Sequence, residues 1–284
     1  MHSEPLRPIT QAEIESFRED GVVLLRGMFA AEWVDAVAAA LERSLERTPL
    51  FGTDFASTLE TDGRFQSDVL LWLGDETLRS YVFESPAIDI ACTLLGCRER
   101  LSFFNDQTFI KEPGTAVPTP WHQDQPFWPV RGEQVCSFWM TCDPVGPDDS
   151  ALEFVAGSHR WGTWFKAVTP DNDPHLLASD FEYPPDIEAA RDRYRILSWD
   201  YEPGDLVVFH GLTLHGSRGN SSTTRRRRAY STRWCGDDTT YDARPATYGL
   251  PPGEQFEDGA PFIADFWPLV WDAEHGRRKA PALA

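Results

Sequence analysis

Trp121-His122-Gln123-Asp124-Gln125-Pro126-Phe127-Trp128 is the stretch on which the reading of this chain turns. In an extended segment alternate side chains point to the same side, so His122 and Asp124 would share one face. An imidazole and a carboxylate on one face form two thirds of a facial 2-His-1-carboxylate set. Such a set leaves positions open on non-haem Fe(II) for a co-substrate and O2. A His-x-Asp triplet also occurs on ordinary surfaces, so the rest of the chain must supply the third ligand and a fold that can carry it.

Downstream and upstream of this stretch the pattern is one of short strands. Residues 101–111 read as a strand ending at Pro113-Gly114, residues 135–141 as another, and residues 152–155 as a third ending at Gly157. Residues 195–199, 206–209 and 229–234 complete the set, the second of these launched from the turn Pro203-Gly204-Asp205. Several short strands separated by turn signals imply a β-sandwich or barrel. Helices precede them. Thr10 with Glu13 forms a capping box, and Gly21 stops that helix before the apolar strand Val22-Val23-Leu24-Leu25. Residues 30–45 carry Val34, Val37, Ala38, Leu41 and Leu45 on one stripe. Residues 86–95 follow Ser85 as cap and end at Gly96. Residues 48–68 show no period and read as a long loop able to cover a site, and the polar insertion 169–193 as a lid. The expectation is one domain over residues 1–284: a helical part at about 10–96, a barrel core at about 101–235 and an extension over 236–284.

With 41% hydrophobic residues in 284, a substantial core is possible. The net charge of −19 argues against nucleic acid or an anionic membrane as partner, since both reward positive charge. Five cysteines, an odd number with no Cys-x-x-Cys pair, suggest reduced thiols and a cytoplasmic protein. No apolar run is long enough for a membrane span and no signal region is visible. Oligomeric state is not readable.

The third ligand should come from Phe209-His210-Gly211-Leu212-Thr213-Leu214-His215-Gly216-Ser217. His215 is preferred because Gly216 lets the backbone approach a ligand closely. His210 and, in Ala156-Gly157-Ser158-His159-Arg160, His159 are the alternatives. A 2-oxo acid can supply the electrons for O2 activation, and its far carboxylate calls for a bidentate cation. Arg225, Arg226, Arg227 and Arg228 sit just before the last strand, where alternation must turn at least one inward.

The ordered set His122-Gln123-Asp124, Phe138-Trp139-Met140, Ala156-Gly157-Ser158-His159-Arg160-Trp161-Gly162, Pro203-Gly204-Asp205, His215-Gly216-Ser217-x-x-Asn220 and Arg227-Arg228-Ala229 resembles the phytanoyl-CoA dioxygenase family. The resemblance runs from about residue 10 to 234 and implies a double-stranded β-helix, or jelly roll, with flanking N-terminal helices. It implies Fe(II), 2-oxoglutarate and O2 as cofactor and co-substrates, with His122, Asp124 and His215 on the metal. Arg227, or Arg226 if the register slips, would bind the distal carboxylate of 2-oxoglutarate with help from Ser217. Trp139 and Gln107 would line that pocket. Asn105, Gln107, Phe109 and Lys111 share a face by period two, so any of them could reach the cavity. Phe127 and Trp128 are either core or an aromatic wall for a small-molecule substrate. Asp124 favours oxygenation over halogenation, since halogenating relatives carry a small residue there. The rival readings are a non-catalytic metal- or ligand-binding barrel and a cupin-like isomerase.

Overall fold

A computed structural model describes residues 1–46, 52–248, 250 and 254–280. In chain order it runs α1 (Gln11–Asp20), β1 (Val22–Leu25), α2 (Ala31–Leu45), β2 (Thr53–Asp54), α3 (Phe55–Thr58), β3 (Phe65–Val69), α4 (Glu76–Glu84) and α5 (Ala87–Leu95). The long β4 (Arg100–Lys111) follows, then β5 (Thr119–His122), β6 (Val130–Arg131), β7 (Val135–Thr141) and β8 (Leu152–Val155). The chain closes through β9 (Ile196–Leu197), β10 (Leu206–His210), β11 (His215–Ser217), β12 (Arg227–Cys235), β13 (Thr240–Tyr241), β14 (Leu269–Asp272) and β15 (Gly276–Arg277).

The strands form two main antiparallel sheets. The larger has the order β1-β10-β7-β12-β4-β14-β15, with β3 also on β4 and β2 on β3; the smaller is β5-β11-β8-β9. Two such sheets facing one another are the jelly roll. The larger sheet draws strands from all parts of the chain: β1 and β3 from the stretch read as helical and β14 from the stretch read as an extension.

Alternation along β7 and β12 explains the layering. Phe138, Met140, Tyr230 and Trp234 turn outward and join one cluster with Trp33, Val37, Leu41, Tyr81 and Ile88 of the helices. Trp139 and Ala229 turn inward and meet Phe154, Val207 and Phe209 between the sheets. Helices therefore cover one face of the larger sheet, and the other face is free to line a cavity with the smaller sheet.

Two sequence expectations change. Of the loop expected over residues 48–68, residues 48–51 lie outside the described residues; the remainder folds into β2, a one-turn helix and β3. Asp54 organises it, accepting from Ala56 N at 3.2 Å and Phe65 N at 3.0 Å. The segment has no period because its two strands are short and β3 is buried on both faces. Helix α4 escaped the sequence reading although Asp75 caps it, accepting from Thr77 N and Leu78 N.

Candidate active site

His122 and His215 are direct cross-strand partners, β5 against β11. The approach of these strands is tight. A Cβ on Gly216 would lie 2.9 Å from the Thr119 carbonyl oxygen and 3.3 Å from Trp121 N. The bare glycine thus serves strand packing, not ligand approach as the sequence suggested, and in doing so it sets the register of His215.

Asp124 reaches the pair by a different route from the expected extended spacing. Strand β5 ends at His122, and Asp124 has helical torsions (φ −75, ψ −44) at the start of a single tight turn over Gln125–Phe127. Pro126 favours that turn, and Phe127 N donates to the Asp124 carbonyl at 3.0 Å. Gln123 points away and locks the stretch, donating to the Thr163 and Leu212 carbonyls at 3.0 Å each and accepting from Phe165 N at 2.9 Å.

The result is a cluster in which one donor atom from each of His122, Asp124 and His215 lies within 4.8 Å of the others. His122 Nε2 is 3.4 Å and His215 Nε2 3.7 Å from Asp124 Oδ1. Each Nδ1 faces a backbone carbonyl, Pro120 O at 2.7 Å and Thr213 O at 3.0 Å. A carbonyl only accepts, so both Nδ1 atoms carry the proton and both Nε2 lone pairs face the cluster, the tautomer a metal needs. Ser137 Oγ donates to Asp124 Oδ2 at 2.5 Å, holding the carboxylate while Oδ1 stays with the imidazoles. Burial alone would raise the Asp124 carboxyl, but His215, His122 and Arg233 hold it well below the usual carboxylate range. Burial, and then His122, push His215 down to about 3. An ionised carboxylate beside two imidazoles whose Nε2 atoms face it, nearly enclosed, fits a divalent transition metal.

His210 and His159 lie outside the cluster. His210 Nε2 donates to Glu133 O at 2.8 Å and its Nδ1 accepts from Leu212 N at 3.0 Å, so both ring nitrogens are used. His159 lies beside His210, the rings tilted at 43° with centroids 5.2 Å apart.

The arginine run divides by alternation. Arg226 pairs with Glu42 and Glu112, and Arg228 with Glu42 and Asp143, on the helix side. Arg225 pairs with Asp149. Arg227 turns inward at 1% exposure, donates to Ser150 O at 2.9 Å, sits 5.7 Å from the Trp139 ring and has no carboxylate partner among the described residues. Its Nε is buried without an acceptor. Arg227 and the metal cluster line the same cavity of about 80 Å³, with Trp139, Gln107, Phe127 and Trp128. Two expected residues stand elsewhere. Ser217 is behind the wall, its Oγ accepting from Lys111 Nζ at 3.2 Å. Asn105 lines a second, outer cavity of about 550 Å³ that shares Gln107, Phe55, Thr169 and Tyr248 with the first. Lys111 is fully buried between Ser150, Ser217 and the Phe65 ring.

Arg233, which the sequence reading missed, also lines the metal cavity. It is six residues beyond Arg227 on β12, hence on the same face, and that spacing was the available signal.

A family model described as phytanoyl-CoA dioxygenase (PhyH) matches residues 17–229. The chain belongs to the phytanoyl-CoA dioxygenase family. It is therefore an iron- and 2-oxoglutarate-dependent dioxygenase, with O2 as co-substrate. The multifunctional dioxygenase prhA of Penicillium brasilianum is 26% identical to this phytanoyl-CoA dioxygenase family member over 224 residues, 75% of this chain and 68% of that protein. Among solved structures, the non-heme alpha-ketoglutarate-dependent carbocyclase SnoK from nogalamycin biosynthesis has a TM-score of 0.72 at 21% identity, covering 95% of this chain and 100% of that one. The epimerase SnoN, solved with Fe3+, alpha-ketoglutarate and nogalamycin RO, has a TM-score of 0.71 at 22% identity over 91% and 97%. These two likenesses establish the shared fold. Among the described residues no helix is long and apolar enough to cross a membrane.

Proposed function

We propose that the enzyme hydroxylates an unactivated C–H bond of a small organic molecule while 2-oxoglutarate is converted to succinate and CO2. The observation that carries this is the pairing of the His122–Asp124–His215 cluster with a buried, carboxylate-free Arg227 in one cavity. Iron, when bound with 2-oxoglutarate and O2, supplies the oxidising power. The chain's own work is positional. His122, Asp124 and His215 hold the metal, and Ser137 fixes the carboxylate. Arg227 takes the distal carboxylate of 2-oxoglutarate, with Trp139 and Gln107 as walls of its pocket and Ser217 backing it through the Ser150 hydroxyl. Phe127 and Trp128 exclude water and bound the substrate, which enters through the outer cavity that Asn105 lines. Asp124 fills the place a halide would need, which favours oxygen transfer. Five free thiols and an iron requirement suit a reducing compartment such as the cytoplasm.

Two measurements test the reading. Anaerobic Fe(II) plus 2-oxoglutarate should give a weak visible charge-transfer band; its absence would favour a non-catalytic barrel. Turnover under isotopically labelled O2 should place labelled oxygen in the primary product. A product without it would move the outcome toward cyclisation or epimerisation, reactions named for proteins of this fold.

A further inference from the structure

Arg233 is a second buried cation in the metal cavity, and its bonding is incomplete. The residue is 3% exposed, and its guanidinium sits 5.7 Å from the Trp128 ring and 5.9 Å from the Phe109 ring. One nitrogen, Nη2, donates to Gln107 Oε1 at 2.7 Å. Nε and Nη1 are buried with no acceptor among the described residues. No carboxylate of the described residues comes within ion-pair distance. Asp124 lies at the same level of the sheet, since Ser137, which holds it, is the cross-strand partner of Arg233. Asp106 lies on the opposite face of β4, bonded to Tyr230 Oη at 2.9 Å and Trp72 N at 2.9 Å. Leaving charged donors unpaired in an apolar pocket is costly, and such groups persist where a ligand completes them.

Charge balance says which ligand. This step rests on the function proposed above. Iron(II) and Asp124 together keep one positive charge, Arg227 and Arg233 add two, and the dianion of 2-oxoglutarate removes two. One positive charge stays unmatched. With the two carboxylates of 2-oxoglutarate assigned to Arg227 and the metal, and no protein carboxylate of the described residues paired with Arg233, the anion that completes Arg233 comes from the other reactant. The position agrees. Arg233 bonds to Gln107, which lines both the metal cavity and the outer cavity. The outer cavity has a largely apolar wall, with Leu70, Leu73, Phe104, Leu250 and Trp267, and carries the carboxylates of Asp171 and Asp173, neither of which forms an ion pair with Arg233 among the described residues.

We propose that Arg233 is a specificity-determining residue that receives the carboxylate of the primary substrate, so that the enzyme acts on an apolar carboxylic acid. Anchored by its carboxylate beside Asp124 and with its apolar body in the outer cavity, such a substrate presents to the metal a C–H bond close to the acid group.

The test uses full-length enzyme loaded anaerobically with Fe(II) and 2-oxoglutarate, and calorimetric titration with 3-phenylpropionate and its neutral amide. The visible band is checked first, because its absence refutes the proposed function and not the role of Arg233. With the band present, the acid is expected to bind about tenfold or more tightly than the amide, the scale of one charge-assisted contact. Arg233→Gln should abolish that preference and Arg233→Lys retain part of it, with 2-oxoglutarate affinity within about threefold of wild type. Melting curves identify any variant that does not fold, in which case Arg233→Lys alone decides. Equal binding of acid and amide by wild type, no binding of the acid, or an unchanged preference in the variants overturns the proposal. So does a large loss of 2-oxoglutarate affinity with the preference intact, which would give Arg233 to the co-substrate.

Discussion

Each residue of the cavity wall has a separable effect. His122→Ala, Asp124→Ala and His215→Ala are each expected to abolish turnover and to lose stoichiometric iron, measured by metal analysis after anaerobic loading. His210→Ala should keep its iron, because both of its ring nitrogens are bonded to backbone away from the cluster. Loss of iron from His210→Ala with retention in His215→Ala would reverse the ligand assignment. Ser137→Ala should weaken iron binding by about tenfold to a hundredfold, the usual effect of removing a group that orients a ligand. Arg227→Ala should keep iron and raise the apparent Michaelis constant for 2-oxoglutarate by about tenfold to a hundredfold, roughly 1.5–3 kcal/mol. Arg226→Ala, which loses only half-exposed ion pairs, should leave that constant within about twofold. At this scale the residue types of the cluster were legible, because few side chains make a facial metal set. The geometry was not: period two put His122 and Asp124 together, whereas a turn at Pro126 does so. Arg233 went unseen because a single Arg inside a strand carries no signature until Arg227 fixes which face is inward.

Among the elements, β11 shows how backbone packing sets chemistry. Gly216→Ala would drive a methyl group into the Thr119 carbonyl and push β11 off β5. Since His215 and His122 face one another across that junction, iron affinity should fall together with melting temperature. Unchanged iron binding in a stable Gly216→Ala protein would show that the strands can part without moving the imidazole. Strands β7, β8, β10 and β12 were readable because apolar runs between turn residues survive any tertiary context. Strand β3 and helix α4 were not. The first buries Gln66, Ser67 and Asp68, so it shows no apolar run, and the second has an apolar face that makes sense only once Tyr81 and Phe83 meet the helix-side core.

For the whole molecule, the arrangement of charge matters more than its total. The surface is acidic, but Lys111, Arg227 and Arg233 are enclosed without carboxylate partners among the described residues, and burial pulls each one's proton affinity down. Folding without ligand therefore carries an electrostatic cost, which 2-oxoglutarate relieves under the role proposed for Arg227. At about a hundred times its dissociation constant, a ligand that binds only the folded state contributes about 2.7 kcal/mol. For a chain of this size that is roughly 5–10 °C in melting temperature. Scanning calorimetry of the metal-loaded protein with and without 2-oxoglutarate should show such a rise, and Arg227→Ala should lose most of it. An equal rise in the variant would place the stabilising contact elsewhere. The same uncompensated cations bear on how long the protein lasts in a cell. Proteases act on opened molecules, and the opened fraction falls as 2-oxoglutarate fills the cavity. Abundance would then follow metabolite supply: a cell short of 2-oxoglutarate would lose the enzyme by degradation as well as its turnover, and a pulse-chase under depletion would record the shortened lifetime.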